Sequence, residues 1–349
     1  VLALFTLSYG VAQVVLGPFG DRHGKFRVSA WACLAAGIAS LGAALANEMT
    51  ELGAVRLISG VFAGATIPLA IAWIGDEVPY EQRQPVIARF LTGQILGILS
   101  GQAFGGVLAD LLGWRTTLLT IACIHIIAGL GLLREFYRHP ELDQRGTGQL
   151  RPFALAKDIA NLWSRPWVRT VILAVAVEGF AVFGALAYVG ADLRTRFGAS
   201  ATVSGFLLAT FGIGALAYVA NAGRLVSRLG QTGLAVGGGA LLMASFLFLV
   251  ILPILWAAPL AMMVMGFGFY MLHNTLQTNA SQMAPEARGL GVSQFAFCLF
   301  LGQTVGVTAA GLVVDRFGAR PLFVVAAFIL AATGYVFRQA LIRRAASTS

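Results

Sequence analysis

Three ionisable side chains of this sequence stand inside long apolar stretches, where a charge is costly and a proton can be put to use. Glu178 lies in the apolar run 167–190, His273 beside Asn274 in 257–279, and Arg56 in 52–75. An ionised carboxylate in hydrocarbon is expensive, so Glu178 has to be protonated, paired or open to water. Two readings follow: a site that handles protons or cations, or a neutral acid hydrogen-bonded for packing. His273 is a proton carrier or a hydrogen-bonded interior group, and His125, in 116–133, is a weaker case of the same choice. Arg56 costs at least about 2.5–3.5 kcal/mol at a bilayer centre. It faces a partner or a cavity, or its stem carries the guanidinium to the nearby membrane edge. No nucleophile with a base, no paired carboxylates and no metal-ligand spacing accompany these residues, which argues against an enzyme and implies no cofactor and no metal. Cys33, Cys123 and Cys298 all fall within apolar runs and read as small apolar residues rather than as a disulfide or ligand set. Gly237-Gly238-Gly239 follows no strand and lacks the Lys and Ser or Thr of a phosphate loop.

The elements that must position these groups are membrane spans. Hydrophobic residues make up 58% of the chain and charged residues 11%, and the mean hydropathy is +0.81. A soluble globular domain carries about a quarter charged residues and could not hide so much apolar surface. Runs long enough for a hydrocarbon core of about 30 Å occur at 1–18, 28–46, 52–75, 86–109, 116–133, 167–190, 203–222, 232–252, 257–279, 290–313 and 321–341. The expectation is an all-α polytopic membrane protein with 11 spans. Val1 opens the first with neither Met nor a basic flank, so it does not read as a signal peptide, and a further helix is expected upstream.

The net charge of +9 is distributed by loop rather than gathered on one soluble face, so nucleic acid is not the expected partner. Alternate connections divide the 24 Lys and Arg unequally: 18 on one side, including seven between Arg134 and Arg169, five on the other, and Arg56 within a span. The richer side is expected to be cytoplasmic, which places the C-terminal tail with Arg338, Arg343 and Arg344 there.

The chain also repeats itself. At an offset of 205, Glu81, Arg83, Gly97, Gly101, Gly106, Asp110, Gly113 and Arg115 fall on Glu286, Arg288, Gly302, Gly306, Gly311, Asp315, Gly318 and Arg320. At 206, Gly17, Arg22 and Gly24 fall on Gly223, Arg228 and Gly230. The first five spans map onto the last five and leave 167–190 without a counterpart. The expected division is an N-terminal half, 1–134, a connector, 135–166, with a helical stretch near Phe153–Trp163 suited to the inner leaflet, and a C-terminal half, 167–349.

Three local patterns complete the reading. After the first span comes Gly17-Pro18-Phe19-Gly20-Asp21-Arg22-His23-Gly24-Lys25, whose glycines permit a tight turn and whose acid can meet a helix N-terminus or a cation. Arg56 is followed by Gly60 and Gly64. Gly97, Gly101, Gln102, Gly105 and Gly106 set small residues four apart, a pattern for close helix packing in lipid. Gln94, Gln102, Gln294 and Gln303 are expected interhelical hydrogen-bond formers.

Together the duplication, the spans and these patterns resemble the major facilitator superfamily. The first pattern is similar to its loop signature, Gly-x-x-x-Asp-Arg-x-Gly; Arg56 with Gly60, and Gly97–Gly106 with Gln102 in place of a proline, are similar to signatures of its drug:proton antiporter branch. The resemblance implies two six-helix halves, here 5 + 6 spans, with alternating access between them. It implies that Gly17, Asp21, Arg22, Gly24 and Lys25 form a cytoplasmic latch, with the start of the span near Leu290 as partner. The second copy, Gly223, Arg228 and Gly230, has Ser227 in place of the acid. It further implies proton-coupled efflux of a small drug-like or metabolite solute from a bacterial inner membrane, by a monomer. An uptake permease or uniporter for a sugar or organic acid is the alternative within the same fold, and a truncated, non-transporting remnant is another.

Overall fold

A computed structural model describes residues 1–142 and 152–348, and among them every regular element is helical. In chain order the α-helices are α1 (Leu2–His23), α2 (Lys25–Leu45), α3 (Met49–Glu77), α4 (Tyr80–Leu112), α5 (Trp114–Arg138), α6 (Pro152–Trp163), α7 (Pro166–Phe197), α8 (Ala201–Ile251), α9 (Ala258–Gln282), α10 (Arg288–Phe317) and α11 (Ala319–Thr348), with short 3-10 turns at Pro140–Leu142, Leu255–Ala257 and Pro285–Ala287. Among the described residues nine helices are long and apolar enough to cross a membrane, and α1 carries a shorter apolar run, Leu2–Leu16. The 51 residues of α8 hold two of the expected spans, so each of the 11 expected runs has its helix.

The turn inside α8 follows from one residue. Gly230 has φ 60° and ψ −179°, outside helical space. A continuous helix of 51 residues would be about 76 Å long, yet both arms of α8 pack on the 25-residue α9. In the arm 201–229, Thr210 meets Pro259 and Tyr218 meets Phe267, so it runs parallel to α9. In the arm 231–251, Gln231 meets Asn279 and Leu241 meets Gly268, so it runs antiparallel. The arms are a hairpin. The repeat holds at this level: Gly24 (φ 95°) and Gly230 occupy equivalent turns, as do Gly113 (φ 86°) and Gly318 (φ 76°). These conformations admit glycine without the steric cost other residues meet. The first of them also shortens the expected loop at 19–27, since α1 continues to His23 and α2 starts at Lys25, leaving Gly24 alone between them.

The chain forms two compact units, Val1–Gln94 with Leu111–Ile159, and Ile95–Asp110 with Ala160–Ser349. In the first, α3 packs on α1 and α2, and α2 on α5. Backbones come close: a Cβ added at Gly129 of α5 would lie 2.6 Å from the Leu34 nitrogen of α2. A capping box between Glu48 and Glu51 starts α3, and Arg115 donates to the carbonyl of Ala46 at 2.9 Å, closing the end of α2.

In the second unit, α8 packs on α9 and α11, and α7 on α10 and α11. One continuous core includes Val171, Val175 and Val182 of α7, Leu242 and Phe246 of α8, Met262 and Met265 of α9 and Phe323 of α11. Glycines again seat helices on carbonyls: Gly302 and Gly306 of α10 face the Ala176 and Phe180 carbonyls of α7, and Gly214 of α8 faces that of Met263 on α9. At the start of α8, the Ala201 and Thr202 N–H groups donate to the Asp110 carboxylate at 3.0 and 2.6 Å, and Val203 N–H to the Ser200 hydroxyl at 3.2 Å. The end of α6 docks on this unit. Leu162 is buried, and the Trp163 indole donates to Gln294 Oε1 at 3.1 Å.

Candidate functional site

The second unit brings two of the intramembrane groups together. Glu178, on α7, is fully buried, and its Oε2 lies 2.7 Å from Nδ1 of His273 on α9. α7 presents the acid on the stripe that packs against its neighbours, next to Gly179, which faces the Leu299 carbonyl of α10. His273 is held by rings: it stacks on Phe269 at 4.9 Å with 16° between planes, and Phe295 of α10 stands 5.4 Å away. The imidazole therefore has a fixed plane and one nitrogen committed to the carboxylate, while the side chain remains 13% exposed. The other carboxylate oxygen, Oε1, is buried without a hydrogen-bond partner among the described residues. A buried acid with one satisfied oxygen and one open one, joined to an imidazole, can hold a proton and pass it on.

Asn274 follows His273 in sequence but turns elsewhere, to a hydrogen bond with Tyr218 of α8. Further along α9, Asn279 donates to Gln231 at 2.9 Å. His125, in the first unit, has its Nδ1 2.9 Å from the carbonyl of Ile121, within its own helix.

Arg56 belongs to the first unit. Its guanidinium lies over the Phe5 ring of α1, 4.3 Å from the centroid, a cation–π contact. Gly60 and Gly64, one and two turns on, carry the same face of α3 against α1, where added Cβ atoms would meet the carbonyls of Phe5 and Tyr9. The Arg-x-x-x-Gly pattern is thus a seam between α3 and α1 with a cation at one end.

At the other end of these helices the loop pattern forms a charge cluster. Lys25 Nζ lies 3.0 Å from Asp21 Oδ1 and 2.5 Å from Asp76 Oδ2 at the end of α3. One lysine ties α1, α2 and α3 together. Gly24 supplies the turn; Arg22 and Gly17 sit on the last turns of α1. In the second copy Arg228 is exposed, Ser227 bonds the Arg224 carbonyl at 3.0 Å, Gly223 has open space around it, and Gly230 makes the turn. Among the described residues no acid pairs with that copy.

The glycine pattern of α4 divides. Gly106 packs on the first turn of α8, where an added Cβ would be 3.2 Å from the Thr202 Cα, and Gly205 of α8 faces the Gln102 carbonyl. Among the described residues a Cβ added at Gly97 or Gly101 would meet nothing within 4 Å outside its own helix, and Gln102 Oε1 is buried without a hydrogen-bond partner. Gly105 lies between, on the same helix.

Sequence reasoning missed Asp76, Phe5 and the Phe269–Phe295 ring pair. An acid at the end of an apolar span reads as loop charge, and a phenylalanine in such a span reads as core; only the third dimension separates them.

Residues 1–307 match the Major Facilitator Superfamily. The chain belongs to this superfamily. It is 25% identical over 330 residues to an uncharacterized superfamily transporter, YwfA, of Bacillus subtilis, covering 91% of this chain and 78% of the relative. It is 26% identical over 339 residues to the multi-drug resistance efflux pump PmrA of Streptococcus pneumoniae, covering 92% and 80%. The homolog of that pump in Lactococcus lactis is 25% identical over 319 residues, covering 87% and 75%. As a member of the major facilitator superfamily the chain is a multi-pass membrane transporter of a small-molecule substrate, with the all-α fold expected of it.

Proposed function

We propose that this transporter exports a small drug-like or metabolite solute in exchange for protons, and that the Glu178–His273 pair carries the proton. The observation that supports this most is the pair itself: a fully buried acid 2.7 Å from a stacked imidazole, with one oxygen left open. Protein interiors seldom keep such a group without a use, because burying an ionisable pair costs desolvation that apolar packing avoids. The efflux pumps among the relatives support the direction.

In this reading Arg56, over Phe5, lines the solute or coupling path of the N-terminal half, with Asn274 contributing from α9. Gly17, Asp21, Arg22, Gly24 and Lys25, joined by Asp76, form the cytoplasmic latch, and Gly223, Arg228 and Gly230 its uncharged counterpart. The protein works as a monomer in a bacterial plasma membrane with the C-terminus inside, its halves being 1–134 and 167–349 around the connector 135–166.

The test is transport of a fluorescent lipophilic cation in inverted vesicles, with and without a protonophore. Wild-type uptake is expected to collapse with the protonophore, and Glu178→Gln, which keeps the shape and a hydrogen bond but binds no proton, is expected to abolish the response to a pH gradient. A Glu178→Gln variant with unchanged, gradient-driven transport would remove the pair from the mechanism.

A further inference from the structure

The turn between α10 and α11 carries two arginines on the membrane side that holds few. That side, opposite the C-terminal tail, has five basic residues, Arg115, Arg194, Arg196, Arg316 and Arg320. Two of them close helix ends. Arg115 donates to the Ala46 carbonyl at the C-cap of α2, at 2.9 Å. In the second unit the equivalent carbonyl, that of Leu252 at the C-cap of α8, accepts from Arg196 instead, at 3.1 Å. Arg320, the repeat equivalent of Arg115, therefore has no helix end to close. It is exposed, as is Arg316 in the last turn of α10, and among the described residues neither has a hydrogen-bond or ion-pair partner. The neighbouring acid, Asp315, stands one turn beyond Gly311, on the face that meets the Tyr188 hydroxyl of α7.

A notch runs inward from these arginines. A cavity of about 110 Å³ is lined by Gly306, Ala309 and Val313 of α10, Leu322 and Val325 of α11 and Ala181 of α7, among others, and every lining residue is apolar. Val325 is 54% exposed, so the notch is open on one side. An apolar cavity stays dry, and lining atoms without neighbours forfeit dispersion contacts, so hydrocarbon is what fills it. Its length suits a lipid chain. Gly306, Ala309, Val313 and Arg316 fall at helical spacing on one face of α10. From Gly306 to Arg316 that helix rises about 15 Å, half of a hydrocarbon core of about 30 Å.

We infer that this hairpin binds one anionic phospholipid of the leaflet opposite the C-terminal tail, its phosphate held by Arg316 and Arg320 and one acyl chain lying in the notch. Guanidinium groups hold phosphate oxygens in charge-assisted hydrogen bonds, and basic pockets between transmembrane helices select anionic headgroups. A free anion would meet the arginines but leave the notch unfilled. A neutral lipid would fill the notch but leave two cations unpaired. The two features together fit a molecule with a phosphate at one end and a chain one leaflet long at the other.

The test titrates the full chain, Val1–Ser349, in detergent with dioleoyl-phosphatidylglycerol and reads the first bound lipid by native mass spectrometry. Arg316→Gln combined with Arg320→Gln is expected to weaken that first binding about thirtyfold, through the loss of two charges at the headgroup. Arg194→Gln, which removes an exposed arginine of the same membrane side, is expected to leave it unchanged. Ala309→Leu keeps both charges and fills the notch, and is expected to weaken binding about tenfold. Arg316→Lys with Arg320→Lys keeps the charge and is expected to keep the binding. None of these positions is fully buried, and an unchanged elution profile and helical content verify the fold of each variant. First-lipid binding that survives the double glutamine variant or Ala309→Leu, or that falls equally with Arg194→Gln, would overturn the assignment.

Discussion

Replacing His273 by phenylalanine isolates the electrostatic part of the buried pair. A phenyl ring fits the slot between Phe269, at 4.9 Å, and Phe295, at 5.4 Å, so packing is nearly conserved. What disappears is the one hydrogen-bond partner of Glu178 among the described residues, leaving both carboxylate oxygens buried and unsatisfied. Breaking a buried charged pair from one side costs about 3–5 kcal/mol, whereas replacing both members by apolar groups of similar volume is neutral or stabilising by about 1–4 kcal/mol. The double variant Glu178→Met, His273→Phe is therefore expected to be more stable than His273→Phe alone by at least about 2 kcal/mol, although it carries one more substitution. Unfolding in mixed micelles, followed by the fluorescence of the six tryptophans, measures all four corners of the cycle. A double variant as destabilised as the sum of its two singles would refute the pairing and return Glu178 to an independent packing role.

Two further expectations concern the first unit and the glycine patterns. Gly60→Ala is expected to lower the thermal midpoint, because the new Cβ meets the Ser8 hydroxyl and the Phe5 carbonyl and forcing helices apart in a close-packed seam costs typically about 1–3 kcal/mol. Gly97→Ala, with nothing within 4 Å, is expected to be neutral or to gain up to about 1 kcal/mol from helix propensity; equal losses at the two sites would mean the seam is not what holds α1 to α3. Lys25→Met leaves Asp21 and Asp76 without the cation they share. Its destabilisation is expected to be largest at low ionic strength, to shrink in concentrated salt and to be relieved by adding Asp76→Asn; a salt-independent loss would assign Lys25 a packing role instead.

The spans were legible because lipid permits few alternatives. An apolar run of sufficient length becomes a helix, since every backbone group must be satisfied within it. The turns were legible where the repeat doubled the signal, as at Gly24 and Gly230, whose shared positive φ explains why this glycine of the pattern recurs while Asp21 gives way to Ser227. The Glu178–His273 contact was not legible, because the residues are 95 positions apart and periodicity says nothing of which face of α7 meets which face of α9. Asp76 escaped for a related reason: its partner Lys25 is 51 positions away, and only packing of α3 against α2 brings the two to one level. The glycines of α4 show the opposite failure, since one small-residue pattern, Gly97, Gly101 and Gly106, covers one seated residue and two unseated ones.

The glycine-to-carbonyl seats between α7 and α10 also govern what can move. Shifting one helix along the other by a single residue, about 1.5 Å, would bring a side chain where Gly302 or Gly306 now touches backbone. Teeth cut that close resist slipping, so α7 and α10 are expected to move together, with Glu178 carried on the pair. Compliance is expected at places with slack, such as Gly223 near the hairpin turn of α8 and Gly289 at the start of α10, where an added Cβ would meet nothing within 4 Å among the described residues outside its own helix. Movement is therefore expected at such open glycines rather than at the seated ones of α7 and α10.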